Sequence, residues 1–112
     1  MVHALKIYPE YYEAVKSGKK PFEVRKNDRD FKIGDYLALN EFIPNGAGTG
    51  EYTGRSIIAR ISYIFTNEEY CKDGFVILGL NPCELSDLKN TKTVLSCFGL
   101  PTFEFKEVTR NV

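Results

Sequence analysis

The sequence has 112 residues, with Lys plus Arg and Asp plus Glu both at 15, so its formal charge is zero and no global field draws it onto a polyanion. Hydrophobic residues make up 43%, and eight Phe and seven Tyr are spread along the chain, which excludes a disordered composition and favours one packed domain over two. Three cysteines without a C-x-x-C pair and one histidine, His3, exclude a disulfide framework and the common zinc sites, so neither a metal nor a cofactor is expected.

No run approaches the ~18 apolar residues of a membrane span. Met1 to Val15 lacks the basic stretch followed by an apolar one that directs secretion, so a cytoplasmic protein with no membrane partner is expected. His3 to Ile7 alternates as a short strand, expected to be buried on both sides with Leu5 and Ile7 on opposite faces. Pro9 then occupies a first helical position. Glu10 and Glu13 fall in the early turns, Lys16 in the last and Gly18 just past the end, which predicts a helix from Pro9 to Ser17. Tyr11, Ala14 and Val15 form its apolar stripe, fit to seal a barrel mouth or lie against a sheet.

Phe22 and Val24 alternate with Glu23 and Arg25 in a second strand that has one apolar and one charged face. Turns follow at Lys26 to Asp30 and at Gly34-Asp35, and Tyr36 to Phe42 is the third strand. Leu37, Leu39 and Glu41 share one of its faces, which points Glu41 toward the interior or its rim, as a partner for the basic residues. Ile43 to Thr53 carries Pro44, Asn45, Gly46, Gly48 and Gly50 and reads as a long hairpin or binding loop. Its Gly-Ala-Gly-Thr-Gly lacks the Gly-Lys-Ser/Thr ending and the following helix of a phosphate cradle.

Arg55 to Phe65 and Phe75 to Leu80 are the fourth and fifth strands, the last bounded by Asp73-Gly74 and Asn81-Pro82, with a solvent-facing Thr66 to Asp73 between them. In the tail, Glu84 to Lys89 suggests a helical turn and Phe103 to Val108 an edge strand. The order strand, helix, four strands predicts an α+β, mainly β fold: a small mixed barrel with a short helix after the first strand.

The densest charge lies in Gly18 to Asp30, where five basic and three acidic side chains fall within thirteen residues. Glu23 and Arg25 project from one strand face and set a carboxylate acceptor beside a planar five-donor group, an arrangement suited to a base edge or a phosphate. A solvated strand face on which the two merely pair with each other fits the same pattern.

The run Ser17-Gly18-Lys19-Lys20-Pro21-Phe22-Glu23-Val24-Arg25 resembles the Gly-x-Lys-x-x-Glu-x-Arg signature of the ASCH domain family in the PUA-like superfamily. His3 to Ile7, Arg25 to Phe31 followed by Gly34-Asp35, and Tyr52-Thr53-Gly54-Arg55 extend the resemblance toward an uncharacterised bacterial and phage subfamily. It covers residues 3–80 as a PUA/ASCH-like barrel and leaves 81–112 as an extension expected to pack on it. The resemblance implies a cleft between the first helix and the following strand that binds RNA or a nucleotide-like ligand. Lys20, Glu23 and Arg25 would line it and Asn27, Asp28 and Arg29 would fix the loop at its mouth, with Glu41 as a further ligand-binding candidate. Asp28 and Asp30 also suit a purely turn-forming role.

Three functions of different kinds follow. In a binding module, Lys20, Arg25 and Arg29 contact phosphate or a base edge, and Tyr8, Tyr36 or Phe42 offers a stacking surface. The enzyme reading rests on some single-domain ASCH proteins being amidohydrolases of N4-acetylcytidine, which carry a Lys at the position of Lys20, a Thr at that of Glu23 and a distant Glu. Here Glu23 replaces the Thr, and Glu41 or Glu51 is the candidate distant carboxylate, which makes a binding role the favoured reading. In a protein-interaction module, the aromatic edge Phe98 to Phe105 docks a partner.

Overall fold

Period-two alternation dominates the part of the chain that the computed structural model describes, residues 1–88, with side chains through 81. The elements are β1 (Val2–Ile7), α1 (Pro9–Lys16), β2 (Phe22–Lys26), β3 (Tyr36–Pro44), β4 (Gly50–Phe65) and β5 (Phe75–Leu88), in the expected mainly β order. They form one five-stranded sheet in the order β1-β3-β4-β5-β2, in which β1 runs parallel to β3 and every other pair is antiparallel. The sequence neighbours β1 and β2 are therefore the two edges. The sheet curls into a half-barrel that brings these edges together, and side chains span the seam: Arg25 donates to the carbonyl of Lys6, and Arg29 Nη1 to that of Ala4 at 3.1 Å.

The hollow of the curl holds the core. Leu5, Ile7, Leu37, Leu39, Ile57, Ile61, Val76 and Leu78 are all buried there, each Leu or Ile worth ~1.5–3 kcal/mol against exposure. Leu5 and Ile7 share one face with His3 rather than opposing each other, because strand side chains repeat every two residues. α1 packs against β3 and buries Tyr12 and Val15. The expected stripe is thus rotated: Tyr12 replaces Tyr11, whose ring stays half exposed.

Two segments differ from expectation. Asn45 to Thr49 is a tight hairpin end, closed by the Asn45 amide on the Thr49 carbonyl at 2.9 Å, because Pro44 and Gly50 already pair in the ladder. The fifth strand does not stop at Asn81-Pro82, and the helical turn expected from Glu84 is strand through Leu88. Pro82 is tolerated because it lies in the register break between the Arg60↔Asn81 and Ile58↔Ser86 pairs, where no ladder donor is needed. The Phe98 to Phe105 and Phe103 to Val108 readings lie outside the described residues.

At the start of β3, burial pushes the Asp35 carboxyl up, but hydrogen bonds outweigh it. His3 Nε2 lies 2.8 Å from Oδ2, the amino terminus and the Lys32 amide also reach the carboxylate, and the group is held below its ordinary value.

Candidate functional site: a cleft at the seam of the half-barrel

The Gly-x-Lys-x-x-Glu-x-Arg spacing has a local physical basis. Ser17 caps α1, and Gly18 at φ 80° takes the left-handed conformation that reverses the chain. The Lys20 amide then returns to the Ala14 carbonyl at 3.0 Å, which tucks Lys20 beneath the last turn of the helix. Pro21 leads into β2, where Glu23 and Arg25 sit opposite Leu78 and Val76 of β5. Both of those residues are fully buried, and paired residues in an antiparallel ladder point to the same side.

The charged face of β2 therefore turns inward. Glu23 is 3% exposed, whereas Phe22 and Val24 on the apolar face are 40% and 50% exposed. This inverts the usual rule for a half-buried strand, and the solvated-face reading does not describe Glu23. Its carboxylate is held from both sides. Lys20 Nζ meets Oε1 and the Phe22 carbonyl, and Arg25 reaches Oε2 with Nε at 3.0 Å and Nη2 at 2.9 Å. Each oxygen thus has a cationic donor, which offsets the cost of desolvating the charge.

A cleft of about 570 Å³ opens over this cluster. Lys6, Ile7, Tyr8 and Tyr11 line one side, and Lys20, Glu23, Val24 and Arg25 the other. Tyr8 and Tyr11 are about half exposed, and Lys20 Nζ stands 5.4 Å from the Tyr11 ring centre. An acceptor pair, fixed donors and two partly free aromatic rings meet in one concavity.

The other candidates lie elsewhere. Arg29 clasps the seam and Asn27 gives its amide to the Gly74 carbonyl, but neither lines the cleft. Asp30, at φ 48°, and exposed Asp28 suit the turn-forming reading. Glu41 faces the interior as expected, but not toward Lys20 or Arg25. Its oxygens accept from Arg55 Nε at 2.9 Å and Nη2 at 2.8 Å, and from Thr53 Oγ1 at 2.7 Å. Arg55 also donates to Glu13 Oε2 at 2.9 Å and lies 4.3 Å from the Tyr12 ring centre, tying α1 to the sheet. Its hydrogen bonds to Glu41 exceed the opposing effect of burial and hold the guanidinium proton more tightly than usual. Glu51 does not line the cleft either.

Of the three stacking candidates, Tyr8 is at the cleft. Phe42 is buried under the Lys6 ammonium, and Tyr36 packs beside Ala38 and Ile58 away from it. The residues that sequence reasoning missed are Tyr11 and Lys6. The sequence places Tyr11 in the apolar stripe of the helix, and Lys6 carries no signal beyond being a polar residue within the first strand.

Among the described residues, no group of His, Cys, Asp and Glu is placed to hold a metal ion, and no helix is long and apolar enough to cross a membrane.

Fold and cleft together define a mainly β half-barrel with an ion-paired cavity at its seam. Residues 2–80 match the family described as Domain of unknown function (DUF3850), and the chain belongs to that family. Over 77 residues it is also 35% identical to a protein of Escherichia phage P2 described as "Uncharacterized 12.9 kDa protein in GpA 3'region". That match covers 69% of this chain and 65% of the relative, just under two thirds of its length.

Proposed function

We propose that this chain is a binding module of ASCH/PUA-like type that holds RNA or a nucleotide-like ligand in the Lys20–Glu23–Arg25 cleft. The observation that carries this reading is the inverted β2 face: a 3% exposed carboxylate gripped by two cations, while the apolar residues of the same strand face out. Folding alone favours the opposite orientation, so the arrangement fits a binding role. The carboxylate accepts from a ring N–H or exocyclic amine, Lys20 and Arg25 donate to ring carbonyls or a phosphate, and Tyr8 or Tyr11 stacks on the base. A zero net charge suits a ligand with few phosphates, and with it a shallow salt dependence.

The amidohydrolase alternative draws support from the direct contact of Lys20 with Glu23, an acid–base pair inside a cleft. It loses support at the second carboxylate, since Glu41 is taken up by Arg55 and Thr53 and Glu51 lies outside the cleft.

The test is equilibrium binding of nucleoside monophosphates and short single-stranded RNAs to the wild type and to Glu23→Gln and Lys20→Ala. Each substitution is expected to weaken binding by about tenfold or more. Unchanged affinity in both variants would take the cleft out of the function. Acetate released from N4-acetylcytidine by the wild type but not by Lys20→Ala would instead favour the hydrolase.

A further inference from the structure

The inward turn of Glu23 and Arg25 puts Phe22, Val24 and Lys26 on the opposite, outer face of β2, with Val24 also bordering the cleft at this edge strand, and the ladder shows what stands beside them. Phe22 pairs with Gly79, which pairs with Tyr63, and Val24 pairs with Ile77, which pairs with Phe65. Two rows thus cross β2, β5 and β4 on one outer face, with Tyr63 60% exposed and a 76% exposed Tyr70 ring tilted against Phe65. Neighbouring strands lie ~4.8 Å apart, so Phe22 and Tyr63 stand roughly 10 Å apart with only Gly79 between them. The ladder register shifts between Ile61 and Tyr63, and a Cβ at Gly79 would stand 3.3 Å from Ser62 Oγ and from Tyr63 Cβ, so any side chain here would crowd the space beside the Tyr63 ring.

The outward side chains of these rows, Phe22, Tyr63, Val24, Ile77 and Phe65, include no carboxylate. Lys20 borders the Phe22 row, its Nζ 5.1 Å from the Phe22 ring centre, while Lys26, paired with Phe75, and Lys72, whose Nζ is 5.5 Å from the Phe75 ring centre, flank the far side of the Val24 row. Lys72 shares the β4–β5 connection with Glu68, Glu69 and Asp73, next to the Phe65 row and away from the Tyr63 row. Lys20 joins this face to the cleft, since the same ammonium touches Glu23 and stands over both Tyr11 and Phe22.

We infer that the Phe22–Gly79–Tyr63 row is a second subsite of the same binding surface, and that the ligand is a single-stranded nucleic acid rather than a free nucleotide. One base occupies the cleft, the backbone passes Lys20, and the next base lies over Gly79 between the two rings. The polymer is favoured over a protein partner because the row combines two exposed rings with a lysine shared with the cleft and no carboxylate, which matches a stacked polyanion. This inference rests on the binding function proposed above.

The test compares a mononucleotide with an eight-residue RNA and a DNA of the same sequence, using wild type, Tyr63→Ala and Tyr63→Phe, all checked for folding by circular dichroism. In the wild type the octamer is expected to bind more tightly than the mononucleotide. Tyr63→Ala is expected to remove roughly tenfold of octamer affinity, Tyr63→Phe to retain it, and both to leave the mononucleotide unaffected. The RNA and DNA arms show which backbone the row prefers. Mononucleotide binding with no gain in the octamer, or an octamer indifferent to Tyr63→Ala, would overturn the second subsite and leave the cleft intact. No binding of any probe would overturn both. Self-association of the wild type that Tyr63→Ala abolishes, with octamer affinity unchanged, would make the row a protein interface instead.

Discussion

Arg25 on β2 donates both to the Glu23 carboxylate and to the backbone carbonyl of Lys6 on β1, so one guanidinium organises the cleft and joins the two free edges of the sheet. An edge carbonyl facing a seam has no ladder donor, and the planar fork of an arginine can serve it and a carboxylate together. A lysine has charge but no fork.

Arg25→Lys is therefore expected to keep the charge of the cleft and lose the bridge, with a destabilisation of about 1–2 kcal/mol in chemical denaturation. Hydrogen exchange should rise at the β1 amides before it rises in β3 and β4. Equal protection of β1 in the variant and the wild type would show that the seam does not depend on Arg25.

The pairing of Glu41 with Arg55 makes a separate prediction, because it anchors α1 and lies outside the cleft. Arg55→Ala leaves a 4% exposed carboxylate with Thr53 as a remaining donor and is expected to cost about 2–4 kcal/mol. The double variant Arg55→Ala with Glu41→Gln should recover part of this loss, since the orphaned charge is gone. Additive effects in this cycle would contradict the ion pair.

How these two clusters read from the sequence differs in an instructive way. Alternation identified β2 and placed Glu23 and Arg25 on one face, but the choice of face depends on the ladder with Leu78 and Val76, a long-range pairing that no local pattern carries. The inward aim of Glu41 was legible from Leu37 and Leu39. Its partner was not, because a register break between Asn40 and Phe42, opposite Gly54, realigns Thr53 and Arg55. Pro82 read as a strand end for the same reason: a bulge formed by distant pairing absorbed it. Elements with local causes, such as α1 with Pro9 at its start and Gly18 past its end, were legible to within one residue.

Asp35 predicts a pH dependence. Its folded carboxyl titrates below the ordinary value of 3.8, because the His3, amino-terminal and Lys32 hydrogen bonds overcome burial. The unfolded chain thus binds the proton more readily, so the stabilisation is fully present above the ordinary value and drains away as pH falls below it. Asp35→Asn is expected to cost about 2 kcal/mol at neutral pH. The gap between variant and wild-type denaturation midpoints should narrow below pH ~4. A gap that stays constant down to pH ~2 would refute this coupling.

Gly54 sits at φ 90° between Thr53 and Arg55, in the register break that aims both side chains at Glu41. A Cβ strains that backbone region, so Gly54→Ala is expected to cost about 1–3 kcal/mol from conformation alone. If the strain is relieved by straightening the bulge, Arg55 loses its alignment and the Glu41 pair weakens as well. The two contributions separate in a background that already lacks the pair. In Arg55→Ala with Glu41→Gln, Gly54→Ala should cost only the backbone term, less than in the wild type. Equal costs in both backgrounds would mean that the bulge survives the substitution and that Gly54 serves only its own conformation.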